Sequence, residues 1–298
     1  MEYARTLSGI PRTSSLQDVA ARPFSVMGIV NVTPDSFSDG GAFFSVDRAV
    51  DHAANLEQQG AHIIDIGGQS TRPGACAVSV EEECGRIIPV ITAAAKKLRL
   101  PISVDTTNAE TARRALDAGA SWINDISAGR FDPGMPKLIA RNNCPIILMH
   151  SRETPATMQR QPAYENVVAE VKKELLERIA VFCDAGVAQH CIIIDPGIGF
   201  AKRFEDTIAL LGRMEELRAL GYIVCLGASR KSFIGRISGK DPAGRLAGSL
   251  ASLAPAFFAG VKIFRVHDVA MTVEYLSVLE AIGHEKSEHN TKIKLKAI

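Results

Sequence analysis

The sequence predicts one (β/α)8 TIM barrel with a short N-terminal extension, and three observations predict it. Eight short strand signals follow one another, at 24–32, 62–68, 101–106, 122–127, 145–150, 191–196, 223–229 and 263–268. Most are near-continuous runs of Ile, Val and Leu, as in parallel strands buried on both faces. Helical patterns lie between them, and nearly every signal ends in a residue able to hydrogen-bond or carry charge. Such a barrel usually takes ~250 residues, which fits a chain of 298 with two terminal extensions. A doubly wound open sheet is the alternative, because alternation alone does not prove closure.

The elements are read in order. Residues 1–22 form an N-terminal arm or extra β-ribbon: arginines lie among serines and prolines, without the apolar core of a secretory signal. The first strand signal ends abruptly at Asn31, followed by a loop of small and acidic residues. A helix spans 46–59 on the apolar stripe Val46, Ala49, Val50, Ala53 and Leu56, and Gly60 is its natural stop. Ser79 with Glu82 suggests a capping box opening the next helix. Gly119 and Gly186 close two more helices, and 165–185 is the longest amphipathic segment. The barrel domain is assigned to 23–283. The polar, lysine-rich remainder, 284–298, reads as a frayed tail.

Composition narrows the function. The chain is 46% hydrophobic and 22% charged, with 34 basic against 33 acidic residues, so its net charge is only +1. That balance, with no basic stripe carrying interleaved aromatics, gives no ground for a nucleic-acid partner. No apolar run approaches the ~20 residues of a membrane span. None of the six cysteines forms a Cys-x-x-Cys pair, so they read as reduced packing thiols of a cytoplasmic protein.

In a barrel the strand C-termini converge on one face, where chemistry belongs. The residues delivered there are Asn31, Asp65, Asp105, Asn124 with Asp125, His150, Asp195, 229–232 and 265–268. A single Asp or Asn at a strand end is more often a turn former or helix cap. Eight polar ends together argue for a site, with the turn-former explanation kept open for Asp65 and Asp125.

With these residues collected, the chain resembles the dihydropteroate synthases over roughly 25–282. The motifs stand in that family's order: Gly28-Ile-Val-Asn-Val-Thr-Pro-Asp-Ser-Phe-Ser-Asp-Gly, Asp65-Ile-Gly-Gly-Gln-Ser-Thr-Arg-Pro-Gly, Ser103-Val-Asp-Thr and Ile123-Asn-Asp-Ile-Ser. Then come Leu148-Met-His, Asp195-Pro-Gly-Ile-Gly-Phe, Ser229-Arg-Lys-Ser-Phe-Ile-Gly and Arg265-Val-His-Asp-Val. The resemblance implies condensation of 6-hydroxymethyl-7,8-dihydropterin diphosphate with 4-aminobenzoate, giving 7,8-dihydropteroate and diphosphate in folate synthesis. Sulfonamides compete for the aminobenzoate position.

The resemblance also implies roles. Asp105, Asn124, Asp195 and Lys231 hold the pterin, with Ile126, Met149 and Phe200 along its flat faces. A carboxylate accepts two hydrogen bonds in one plane, which suits the donor-rich pterin edge. Asn31, Arg265 and His267 hold the diphosphate, and Asn31 offers a neutral oxygen to Mg²⁺. Arg265 and His267 alternate with Val266, so a strand aims both to one side. Asp105, Lys231, Arg265 and His267 are the expected catalytic set, for an SN1-like departure of diphosphate from the exocyclic methylene carbon. Two loops complete the aminobenzoate site, one with Phe37 and one with Thr71, Arg72 and Pro73. Arg230 and Ser232 are expected near its carboxylate. Gln69 stands where the family usually has glutamate, one charge different at nearly the same shape. A homodimer is expected, with Gly248 and the Ala-rich segment 246–259 suited either to that interface or to packing on the barrel.

Two other functions fit parts of the pattern. A pterin-dependent methyltransferase barrel needs no diphosphate clamp, so Arg265 and His267 speak against it. A non-catalytic paralogue acting as a binding subunit would not need every pterin and diphosphate group retained.

Overall fold

In the computed structural model, residues 16–33, 46–69, 78–152 and 163–296 are described, side chains as far as 283. Eight strands pair in parallel in chain order: β1 (Ser25–Asn31), β2 (Ile63–Gly67), β3 (Ile102–Asp105), β4 (Trp122–Asp125), β5 (Ile146–Met149), β6 (Ile192–Asp195), β7 (Ile223–Leu226) and β8 (Ile263–Val266). β8 returns to β1, with Ser25 opposite Ile263 and Met27 opposite Arg265. That pairing closes the barrel and removes the open sheet from consideration.

The helices around it are α1 (Leu16–Ala21), α2 (Val46–Gln58), α3 (Val80–Lys97), α4 (Ala109–Asp117), α5 (Met135–Asn142), α6 (Val167–Asp184), α7 (Phe204–Gly212), α8 (Met214–Arg218), α9 (Ser232–Ser238), α10 (Leu246–Phe258) and α11 (Val269–Lys296). The expected glycines follow α2, α4 and α6, with Gly60, Gly119 and Gly186 all at positive φ. Ser79 caps α3 by accepting the Glu82 amide at 3.2 Å, while the Glu82 carboxylate pairs with Arg86. Gly248 serves packing within the chain: a Cβ there would stand 2.3 Å from Ile234 of α9.

Two elements differ from expectation. The described end of the N-terminal arm is the short helix α1, whose Leu16 and Val19 are buried under the barrel. The last helix, α11, runs through Lys296 and takes in most of the stretch expected to be a tail. The stretch read as a tail contains no Gly or Pro, and its residues propagate a helix already started.

Period two along each strand organises the core. Val26, Val30, Ile64, Ile66, Val104, Ile123, Leu148, Ile194, Leu226 and Phe264 face outward, joining the main core with the helices. Met27, Ile63, Trp122, Ile147, Ile193, Cys225 and Ile263 face inward and form a separate apolar layer, sealed by α1. This is the filled interior of a TIM barrel, not a pore.

Candidate active site

Two residues further along β2, β4, β6 and β8 from that apolar layer, the same inward face turns polar. Ile63 is followed by Asp65, Trp122 by Asn124, Ile193 by Asp195 and Ile263 by Arg265; β3 contributes Asp105. Asp65, Asp105, Asn124 and Asp195 are all buried. Register places Asp105 beside Asn124, and Asp195 beside Met149. Barrel closure brings Arg265 against the first two carboxylates. Its Nε donates to Asp65 Oδ2 at 2.6 Å, and its Nη2 donates to Asp105 Oδ2 at 2.7 Å. Asn124 Nδ2 donates to the same Asp65 oxygen at 3.1 Å. Asp65 Oδ1 has no partner among the described residues.

The loop after β6 forms the opposite wall. Asp195 Oδ1 accepts the Gly197 amide at 2.6 Å, so this residue is a turn former and an inward carboxylate at once. Gly197 has φ +67, and a Cβ on it would meet the His150 carbonyl oxygen at 2.0 Å, so only glycine fits. The loop carries Phe200, which clusters with Ile126, Met149 and Ala201. Lys231 leans onto it: Nζ donates to the Ile198 carbonyl and stands 4.2 Å from the centre of the Phe200 ring.

On the β7–β8 side, Ser229 Oγ accepts the His267 amide at 3.3 Å and lies 3.0 Å from His267 Nδ1. When the Ser229 hydroxyl donates to Nδ1, the neutral ring carries its proton on Nε2, as a donor. Asn31 ends β1 half-buried at the same mouth, with no side-chain hydrogen bond among the described residues. Arg230, expected near the aminobenzoate carboxylate, is paired with Asp268. Its guanidinium grips Asp268 through Nε at 3.0 Å and Nη2 at 2.5 Å, tying the β7 loop to the end of β8. Ser232 is exposed in the first turn of α9. Phe37, Thr71, Arg72 and Pro73 lie outside the described residues.

Enclosure sets the protonation of these groups. Burial pushes Asp105 up to about 7, against the pull of Arg265. Burial also raises Asp195, against the Gly197 amide and Lys231. Burial lowers Lys231 to about 8, against Asp195. His267 is pushed down to about 4 by burial and by Arg265, so it is neutral at pH 7. Burial opposes the charge on Arg265, but Asp65 and Asp105 hold it firmly protonated.

Asp105, Asn124, Ile126, Met149, Asp195, Phe200 and Lys231, the residues the resemblance assigns to the pterin, lie together at the C-terminal end of the barrel strands. Arg265 joins them as the partner of carboxylates, with Nε and Nη2 already engaged. Sequence reasoning missed Asp65, left as a possible turn former. The signal was present: Asp65 interrupts the run Ile63-Ile64-Asp65-Ile66 at an inward position. Asp125 is the turn former, accepting the Ser127 amide and hydroxyl and the Gly129 amide. No group of three or more His, Cys, Asp or Glu suited to a metal occurs among the described residues.

The arrangement suits a flat, donor-rich ring held between inward carboxylates and apolar walls, with cationic and neutral donors at one side for an anion. The chain matches the family model described as pterin binding enzyme over residues 27–267. It is 47% identical over 274 residues to a dihydropteroate synthase of Synechocystis, covering 92% of this chain and 94% of the relative. The dihydropteroate synthase of Xanthomonas albilineans, solved with 4-aminobenzoic acid, superposes with a TM-score of 0.84 at 46% identity, over 89% of this chain and 94% of that one. The Yersinia pestis dihydropteroate synthase, solved with a sulfonamide drug complex, gives 0.83 at 39% identity, over 88% and 94%.

Proposed function

The chain belongs to the pterin binding enzymes, and within them to the dihydropteroate synthases, and we propose that it joins 6-hydroxymethyl-7,8-dihydropterin diphosphate to 4-aminobenzoate in folate synthesis. The observation that carries this reading is the fork of Arg265 between Asp65 and Asp105, with Asp195 and Lys231 beside them. The pterin edge donates to Asp105 and Asp195, Asn124 both donates and accepts, and Lys231 donates to a ring acceptor. Ile126, Met149 and Phe200 exclude water from the ring faces.

The reaction breaks the bond between the exocyclic methylene carbon and the diphosphate oxygen. The pterin ring carries the positive charge that develops, and the nearby carboxylate of Asp105 stabilises it. The Nη1 of Arg265, without a partner among the described residues, and the Nε2–H of His267 donate to the departing diphosphate. The aminobenzoate nitrogen then bonds to the methylene carbon and loses a proton. Asn31 fits a Mg²⁺ site: its amide is without a side-chain partner among the described residues, and one neutral oxygen suffices for an ion that keeps waters and phosphate oxygens. Bound there, Mg²⁺ would neutralise charge on the leaving group.

A second copy of the chain is inferred to cover the last helices, where Ile237, Phe258, Met271, Val278 and Ile282 are exposed. No helix among the described residues is long and apolar enough to cross a membrane. The free cysteines Cys84, Cys144, Cys183, Cys191 and Cys225 support placement in the reducing cytoplasm. A colorimetric diphosphate-release assay tests the activity. Release is expected only with both substrates and Mg²⁺, with inhibition by sulfonamide that added aminobenzoate relieves; no release from the folded chain sinks the reading.

A further inference from the structure

Behind the pterin wall lies a buried charged cluster that no step above uses. Lys202, only 6% exposed, ends the loop after β6. Its ammonium faces three acceptors: His150 Nδ1 at 3.0 Å, the Phe200 carbonyl at 3.0 Å and the His150 carbonyl at 3.3 Å. All three hydrogens are thus accounted for. Because His150 Nδ1 accepts, the ring proton is on Nε2, which donates to Glu174 Oε2 at 3.0 Å. Glu174, on α6, is held in turn by Arg152 at 2.5 Å and by Arg130 at 3.2 Å. A relay therefore runs from α6, through the end of β5, to the loop after β6.

Stability alone does not explain an ammonium at this position. Burial pushes Lys202 down to about 7, and an apolar side chain of similar volume would avoid that desolvation. What the ammonium supplies is geometry. It fixes the loop through the Phe200 carbonyl, next to Ala201, held at φ +45. That loop carries the two groups Lys231 rests on, the Ile198 carbonyl and the Phe200 ring. We propose that Lys202, braced by His150 and Glu174, is a positioning residue that sets pterin affinity by fixing the Phe200 ring and the Ile198 carbonyl beneath Lys231.

This rests on the pterin site proposed above, and the test separates the two. Calorimetric titration of the full chain with 6-hydroxymethylpterin is run on the unmutated protein, Lys202→Met, Lys202→Gln, Lys231→Ala and the Lys202→Met/Lys231→Ala double variant. Both Lys202 variants are expected to raise the pterin Kd about tenfold and leave the aminobenzoate KM unchanged. In the Lys231→Ala background, Lys202→Met should add less than about twofold, because the two residues act through one contact. If Lys202→Met does not fold, Lys202→Gln, which is polar but uncharged and one bond too short to reach the ammonium's acceptors, carries the comparison in both backgrounds. An unchanged Kd, or effects that multiply independently, overturns the proposal. Failure of the unmutated chain to bind the pterin overturns the site reading itself.

Discussion

At the residue scale, the site is a balance of charges that share one enclosure. Asp105 is raised to about 7 by burial and Lys231 is lowered to about 8 by burial, so each titrates near neutral pH. In the proposed function, pterin recognition needs Asp105 ionised and Lys231 protonated. kcat/KM for the dihydropterin diphosphate is therefore expected to rise with pH through about 7 and fall through about 8, a narrow bell. Asp65 is one cause of the raised Asp105 value, since a neighbouring negative charge disfavours a second. Asp65→Asn should therefore move the acid limb to lower pH. It should also cost about 3 kcal/mol of stability by urea unfolding, because Arg265 loses one of two buried partners. An acid limb that stays in place would show that Asp105 does not set it.

At the scale of elements, the loops after β4, β6 and β7 carry the conformational strain. Ala128, Ala201 and Arg230 lie in them at positive φ, without being glycine. Arg230 is held there by several ties: its amide donates to Ser249 Oγ at 2.9 Å, and Arg245 Nη1 donates to its carbonyl at 3.0 Å. Such strain persists only where the surroundings over-determine it, and it gathers at functional sites. Gly197 is the most constrained of these loop positions, since an added Cβ would meet backbone. Gly197→Ala is expected to destabilise the chain by about 3 kcal/mol, read from the urea midpoint. It should also abolish measurable pterin binding; normal binding would show that the β6 loop does not form the pterin wall.

At the scale of the molecule, the barrel interior has two layers with separate duties. The lower, apolar layer carries stability and is sealed by α1, while the upper layer carries chemistry. Leu16→Ala, on α1, should cost about 2 kcal/mol in urea unfolding and leave both substrate KM values unchanged. A changed KM would show that the two layers are coupled. By itself the sequence determined the eight strands and, through their period of two, which side chains face inward. Asp105, Asn124, Asp195, Phe200 and Lys231 could be named from it because each belongs to a motif at a strand end or in the loop beyond it. Closure was decided only by the tertiary structure. The bond of Arg265 to Asp65 spans 200 positions and that to Asp105 spans 160, and no local pattern encodes which inward charges become neighbours. The same holds for Lys202, His150 and Glu174, which share no motif and meet because α6 packs beside β5 and the β6 loop folds back against it. Local chemistry sets the direction in which a side chain points, whereas its partner is set by strand register and by loops folding over the barrel mouth.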